Sequence, residues 1–272
     1  MTLPPTPDLN CRLEAAIASA KLAATETLKW FQSSSLIISH KKDQSPVTQA
    51  DLAAESILRE HLLEAFPHDS FIGEESGRTK GTSAYEWVVD PIDGTKSFVR
   101  GVPLYATLIG CRHDTNGVLG VIMIPALDEM AYAVAGSGAW YTRQNSQPKK
   151  IHVSNERCLT QSLLCSSDFT AFEDRADQQH GMEARQQLEK ACGITRSWGD
   201  GYGYLLVATG RAEVMIDPLL NEWDAAAVET VIHEAGGRFT DWQGQARIDS
   251  GDGVATNGYV HPEILRYLAS GS

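Results

Sequence analysis

The segment from Trp87 to Phe98, WVVDPIDGTKSF, brings two aspartates, a proline, a glycine and a threonine to a point where a strand turns into a helix. Val88 and Val89 read as a buried strand, Pro91 fixes a bend after Asp90, and Gly94 supplies the backbone freedom of a tight turn before Thr95. Asp90 and Asp93 can then converge on one cation. The backbone N–H groups of Gly94 and Thr95 would stand at a helix N-terminus, where unpaired donors and the helix dipole favour an anion. One turn would serve both a metal ion and a phosphate.

Two more acidic motifs stand at the ends of apolar segments: Glu74 and Glu75 follow FIG, and Asp224 follows Trp223 at the start of a helical stretch closing at AGG. In α/β folds, ligands collect at strand ends and helix starts. A hard cation such as Mg²⁺ takes oxygen ligands, a few carboxylates plus water and substrate phosphate. Four carboxylates and one backbone carbonyl, that of Ile92, would suit two ions close together, one for the attacking water and one for the leaving oxygen. Singly, each piece has a plainer reading: Asp90 as a turn former before Pro91, Glu74 and Glu75 as a solvated loop, Asp224 as a helix N-cap. Specificity lies in the combination, since a structural turn has no need of two carboxylates aimed one way beside a Gly-Thr helix start.

Composition narrows the partners. The chain has 272 residues, 42% of them hydrophobic and 21% charged, enough for a large buried core in one α/β unit of two fused lobes. Its formal net charge of -12 argues against a nucleic-acid or anionic-membrane surface, both of which need a basic footprint. Five cysteines, an odd number with no CxxC pair, read as reduced thiols in a cytoplasmic setting. The start, MTLPPTPDLN, lacks the basic and apolar regions of a secretory signal, and no apolar run is long enough to span a bilayer.

The elements that must position the site follow from periodicity. Leu9, Leu13, Ile17, Ala20, Ala24, Leu28 and Phe31 mark an amphipathic helix with Asp8 as its N-cap, and a second helix opens near Asp51 and stops at Pro67. Between them Ser33 to Pro46, with its HKKDQSP stretch, is a candidate flap. A short strand at Phe71 and Ile72 and the strand at Trp87 to Val89 lead into an antiparallel meander: Tyr105 to Cys111, Gly117 to Ile124 and Met130 to Ala135. Strand and helix then alternate: Leu163 to Ser166, Asp174 to Ala191, Tyr202 to Ala208, Ala212 to Ile216, Ala225 to Glu234, Gly253 to Thr256 and Pro262 to Leu268. This pattern predicts an α+β arrangement of two stacked lobes, residues 1–147 with the antiparallel sheet and most metal ligands, and 148–272 supplying Asp224 and the specificity residues.

Taken together, VTQAD (47–51), FIGEES (71–76), WVVDPIDGTKSF (87–98) and WDAAAVETVIHEAGG (223–237) resemble the inositol monophosphatase family of metal-dependent, lithium-sensitive phosphatases. The resemblance implies a five-layer α-β-α-β-α sugar-phosphatase fold, a homodimer, and Mg²⁺ as cofactor, two or three ions per site. By motif position, Glu74, Asp90 and the Ile92 carbonyl would hold the first ion and Asp90, Asp93 and Asp224 the second, with Asp51 and Glu74 approaching a third. Gly94 and Thr95 would contact the phosphate through backbone N–H groups. Thr95 would also orient the attacking water with Asp51 or Glu74, giving in-line hydrolysis with no covalent intermediate.

After DPIDGT the chain reads KSFVRGVPLY, where the inositol enzymes carry a Thr-Asn pair at Lys96 and Ser97, and the second lobe reads RSWGDGYGYLLVATGRAEVMIDP. Both segments resemble the histidinol-phosphate phosphatase branch. On that reading Asp217 would pair with the substrate ammonium and Asp200 with its imidazole. Trp198, Tyr202 and Tyr204 either stack on that ring or pack in the core or a dimer interface, and Asp200 could instead cap a helix. Lys96 either screens the phosphate, pairs with a carboxylate or is solvated. His113, His152 and His233 stand apart and form no ligand pattern. The alternatives are an inositol-1-monophosphatase, a 3′-phosphoadenosine phosphatase, and a catalytically silent metal- or phosphate-binding scaffold.

Overall fold

The computed structural model describes residues 7–144 and 146–269; the proline-containing start (1–6), Asn145 at the expected lobe boundary and the last three residues lie outside them. Helix α1 (Pro7–Trp30) leads through a ribbon, β1 (Ile38–His40) and β2 (Pro46–Thr48), into α2 (Gln49–Ala65). Then come β3 (Ser70–Gly73), β4 (Gly77–Thr79), β5 (Tyr85–Asp93), the short helix α3 (Thr95–Val99), β6 (Ala106–His113), β7 (Asn116–Ile124), β8 (Glu129–Val134), β9 (Ala139–Arg143) and β10 (Lys149–Ile151). The second half runs β11 (Leu163–Cys165), α4 (Gln178–Ala191), β12 (Ile194–Arg196), α5 (Asp200–Ala208) and β13 (Val214–Asp217). It ends with α6 (Glu222–Glu234), β14 (Arg238–Thr240), β15 (Gly253–Thr256) and α7 (His261–Leu268).

The strands form an eight-stranded sheet, ordered β10-β9-β8-β7-β6-β5-β3-β4, and a five-stranded sheet, ordered β12-β11-β13-β15-β14. The large sheet is antiparallel as expected except where β3 runs parallel to β5. The expected divide at 147/148 falls just before β10, which still pairs with β9 in that sheet. Five layers follow from which faces are apolar. Ala16, Ala20 and Leu58 of α1 and α2 pack on one face of the large sheet with Trp87, Val89 and Val121. Its other face meets α5 and α6, which also cover the small sheet through Leu205, Ala226, Met215 and Phe239. Leu188 of α4 and Ile264 of α7 close the far side against Val214 and Val254. This is the five-layer α-β-α-β-α arrangement.

The central layer decides where the site can form. Helix α6 approaches the large sheet closely because Gly120 of β7 has no side chain: a Cβ there would collide with the Ala227 backbone. That approach carries the first turn of α6, with Asp224, to the end of β5. At the other end of the chain, Asp8 differs from expectation. It lies within the first turn of α1, where it accepts a hydrogen bond from Arg12 Nε at 3.2 Å, so it is not the N-cap. The Arg12 guanidinium is buried, bonded to Asp69 and stacked on Tyr85, and this pins α1 to the sheet.

Candidate active site

Strand β5 continues through DPID to Asp93, further than the valines alone suggest, and its register against β6 shifts between Asp90 and Asp93. Pro91 has no N–H to give the ladder, so a bulge forms there. The Ile92 N–H donates to Asp90 Oδ1 at 2.9 Å and the Thr107 hydroxyl donates to the Pro91 carbonyl at 2.8 Å. These bonds fix the direction of the Asp90 carboxylate. Gly94 then N-caps α3 with φ of +86°, and its carbonyl accepts the Phe98 N–H at 3.0 Å. An alanine here would carry strain from the left-handed backbone, and its Cβ would collide with the Asp200 carboxylate. We expect Gly94→Ala to lower kcat/KM by about a hundredfold, roughly 3 kcal/mol, with the fold retained by circular dichroism.

Asp90, Asp93 and Asp224 each offer an oxygen such that all three lie within 4.8 Å of one another. Asp224 is not the N-cap of α6. Asn221 holds that position, and Asp224 completes a capping box by accepting the Asn221 N–H at 2.9 Å. Asp93 accepts the Gly201 N–H from the first turn of α5 at 2.5 Å. Asp51 sits in the first turn of α2, where its Oδ2 accepts the Thr48 N–H at 2.8 Å and the Thr48 hydroxyl at 2.6 Å. Several helix starts thus face one point, and their N–H groups favour buried negative charge.

The Thr95 hydroxyl lies 3.3 Å from Asp51 Oδ1 and 3.1 Å from the Ile92 carbonyl. It has one proton, so it donates to one of them at a time. Thr95 and Asp51, to which the resemblance assigns the attacking water together with Glu74 as alternative, thus lie side by side. Glu74 follows β3, and its loop is held by the buried Glu55 carboxylate, which accepts the Glu75 N–H at 2.8 Å and the Ser76 N–H at 2.7 Å. Two features of this corner escaped sequence reasoning: Glu55, and Lys41 from the β1–β2 ribbon. Lys41 Nζ stands 2.6 Å from Glu74 Oε1 and 2.8 Å from Glu75 Oε1. Only the HKKDQSP stretch marked the ribbon.

The electrostatics are those of crowded acid groups away from water. Burial first, then Glu74, Asp93 and Asp224, push Asp90 well above the usual carboxylate range. Burial with Asp200, Asp224 and Asp217 does the same to Asp93, against the opposing Gly201 N–H. Asp224 is pushed up to about 7, chiefly by burial with Glu74 contributing, while Asn221 opposes. Glu75 is raised to about 7 by burial despite Lys41, and burial raises Asp51. Uncompensated, such a cluster holds protons. A divalent cation relieves both the desolvation and the repulsion.

A cavity of about 350 Å³ opens beside this cluster. Glu74, Gly94 and Thr95 form one end; Ser45 and Pro46 of the ribbon, Asp200, Asp217, and a segment carrying Asp168 and Asp174 form the rest. Asp168 and Asp174 are additions to the expected set; nothing periodic in the sequence marks them. Lys96 pairs with Asp168 at 3.5 Å and is otherwise exposed. Asp200 is the first residue of α5 behind an N-cap at Gly199, so it does not cap that helix. Burial and Asp217 push it up to about 7. Of the two readings of Trp198, Tyr202 and Tyr204, the stack has no member among the described residues lining the cavity. Tyr204 is fully buried in the central core, Tyr202 packs against that core, and Trp198 is 43% exposed.

The donor set fits Mg²⁺: hard carboxylate oxygens converge, protein hydrogen bonds orient Asp90, Asp93 and Asp224, and none of these three is paired with a lysine or arginine among the described ion pairs. The histidines take no part, and this is the one His/Cys/Asp/Glu cluster of metal-binding geometry among the described residues.

Comparisons with known proteins identify the family. The family model described as the inositol monophosphatase family matches residues 8–271. A histidinol-phosphatase of Chlorobaculum parvum is 36% identical, covering 98% of this chain and 98% of that relative. An inositol-1-monophosphatase of Rhizobium meliloti is 31% identical, covering 93% and 92%. The crystal structure of the extragenic suppressor protein suhB from Bartonella henselae superposes with a TM-score of 0.85 at 26% identity, covering 95% of this chain and 98% of that one. The chain belongs to the inositol monophosphatase family.

Proposed function

We propose that the chain is a Mg²⁺-dependent phosphate monoester hydrolase whose substrate is histidinol phosphate, an activity of histidine biosynthesis. The observation that carries the reaction class is the convergence of Asp90, Asp93 and Asp224 beside the Gly94–Thr95 turn. Glu74, Asp90 and the Ile92 carbonyl would hold one ion, Asp90, Asp93 and Asp224 a second, and Asp51 with Glu74 a weaker third. Bound there, Mg²⁺ offsets phosphoryl charge and lowers the pKa of a coordinated water.

The chain's own groups do the rest. The Gly94 and Thr95 N–H groups bind the phosphoryl oxygens at the start of α3. The Thr95 hydroxyl, donating to Asp51, can accept a hydrogen bond from the attacking water; as the water's proton passes to the Thr95 oxygen, Thr95's own proton passes to Asp51, with Glu74 the alternative acceptor directly from the water. No side chain needs to attack phosphorus. The acidic lining of the cavity supports the substrate: Asp168, Asp174, Asp200 and Asp217 against one lysine suit a cationic alcohol better than a polyol. Similarity to a histidinol-phosphatase over nearly the whole chain, and the TKSFVRGVPLY segment, support the same choice.

A second reading, an inositol-1-monophosphatase, is favoured by the Rhizobium meliloti relative. The homodimer and the cytoplasmic setting belong to this proposal as well; five unpaired cysteines agree with the setting, and among the described residues no helix is long and apolar enough to cross a membrane. Phosphate release from histidinol phosphate, myo-inositol 1-phosphate and 3′-phosphoadenosine, with Mg²⁺ and with chelator, tests the reading. We expect the highest kcat/KM on histidinol phosphate, by at least about tenfold, and none without metal. A higher value on either other ester would replace the substrate, and no turnover on any would leave a binding scaffold.

A further inference from the structure

The substrate's ammonium is borne on the carbon next to the ester carbon. With the phosphoryl group on Gly94 and Thr95, that nitrogen must stand close to the same turn. Asp200 is the carboxylate there. Its Oδ2 occupies the space that a Cβ on Gly94 would need, and the following N–H, of Gly201, bonds Asp93 at 2.5 Å. The backbone of Asp200 is held at φ of +53°, with its N–H donated to the Ser167 hydroxyl at 2.8 Å. Its carboxylate faces two hydroxyls, that of Ser167 and, at the long distance of 3.5 Å, that of Ser97. Asp217 contrasts with it. It is 3% exposed, and both its oxygens have protein donors, the Tyr204 hydroxyl at 2.8 Å and the Ser167 N–H at 3.2 Å.

The cavity lining also has an apolar part: Ala171, Pro218 and the exposed Leu219 contribute carbon surface, and Asp174 is exposed. An imidazole suits such walls, its faces against carbon and one N–H toward a carboxylate. Asp168 is already committed, to the Thr170 N–H and hydroxyl and to Lys96.

Resting on the histidinol phosphate reading, we propose that Asp200 receives the substrate ammonium, and that the imidazole lies outward between Ala171 and Leu219 with Asp174 accepting its N–H. A carboxylate against the phosphate turn repels a phosphate ester unless a cation stands between them. Asp200 therefore selects for amino alcohols and against neutral polyols. The same charge that harms the wrong ester is neutralised by the right one.

The test uses three esters: histidinol phosphate, imidazolylpropyl phosphate, which lacks the amine, and ethanolamine phosphate, which lacks the ring. In Asp200→Asn the ratio of kcat/KM for histidinol phosphate over imidazolylpropyl phosphate should fall by at least about tenfold. In Asp174→Asn the ratio for histidinol phosphate over ethanolamine phosphate should fall instead, by about threefold to tenfold. Asp200→Ser is a second variant with the same expectation, should the amide disturb folding. Retention of the amine preference in both Asp200 variants, or its loss in Asp217→Asn alone, would overturn the assignment while leaving histidinol phosphate as substrate. A wild-type enzyme without any amine preference would overturn both.

Discussion

Replacing Asp93 by asparagine should abolish most activity and, at the same time, stabilise the metal-free protein. The carboxylate lies at the centre of the cluster: within reach of Asp90 and Asp224, bonded to the Gly201 N–H, and close to Asp200 and Asp217. Asparagine keeps the shape and one oxygen but removes the charge that a cation needs. We expect kcat/KM to fall by about three orders of magnitude, roughly 4 kcal/mol of transition-state stabilisation. In chelator, loss of a buried like charge should raise the melting temperature, because Asp93 is held far from its preferred ionisation. Wild type at a Mg²⁺ concentration a hundredfold above its Kd gains about 2.7 kcal/mol by mass action, and the variant should lose most of that gain. Thermal melting with and without Mg²⁺, run beside the phosphate assay, checks both halves. A variant that loses activity yet keeps the full Mg²⁺ shift would place the cation elsewhere.

The second large effect is a pH dependence of the metal-free fold. Asp224 and Asp200 are raised from the ordinary carboxylate value of 3.8 to about 7, and Asp90 and Asp93 are raised well above that ordinary value. Between those limits the folded protein keeps protons that the unfolded chain has released, so stability is fully present below about 3.8 and is lost as pH rises toward 7 and beyond. Each proton contributes about 1.4 kcal/mol per pH unit, and mutual coupling makes the total a few kcal/mol. His261 acts in the opposite sense: buried between Thr240 and Thr256, it is pushed down to about 4 and costs stability as pH falls below its ordinary 6.5. It is outnumbered, since Glu75, raised to about 7, and the raised Asp51 and Asp217 act with the other four aspartates. The midpoint of urea unfolding in chelator should therefore fall between about pH 5 and about pH 7.5, and saturating Mg²⁺ should flatten or reverse that slope. A midpoint that rises with pH in chelator would mean that the carboxylates are not repelling one another.

Much of the candidate site could be read from sequence because its carboxylates stand at element boundaries with strong local chemistry. Gly94 and Thr95 announce the start of α3, and Thr48 with Asp51, three residues apart, is a capping box as well as half of the Thr95–Asp51 pair. Asp224 after Trp223 marks the start of α6, although its partner Asn221 takes the cap. Other parts were hidden for physical reasons. Strand β5 continues past Val89 through Asp-Pro-Ile-Asp, residues that favour turns in isolation, because pairing with β6 and the Thr107 bond to Pro91 hold it extended. Strands β9, β10, β12 and β14 are three to five residues long, too short to show alternation. Lys41, Asp168 and Asp174 reach the site from loops and a ribbon, where only tertiary contacts decide which way a polar side chain faces. For Trp198, Tyr202 and Tyr204 the sequence left stacking on a ligand and packing in the core both open, and burying their area against the core prevailed for the two tyrosines.

The central claim is that one turn, DPIDGT, joined by Glu74 and Asp224, holds the cation and the phosphate together. A crystal structure of the protein soaked with Mg²⁺, histidinol and inorganic phosphate tests it most directly. Mg²⁺ should be bonded to Asp90, Asp93 and Asp224, and a phosphate should sit on the Gly94 and Thr95 N–H groups, with histidinol extending toward Asp200. A cation bound away from these three aspartates, or phosphate seated elsewhere in a site that does hold Mg²⁺, would contradict it.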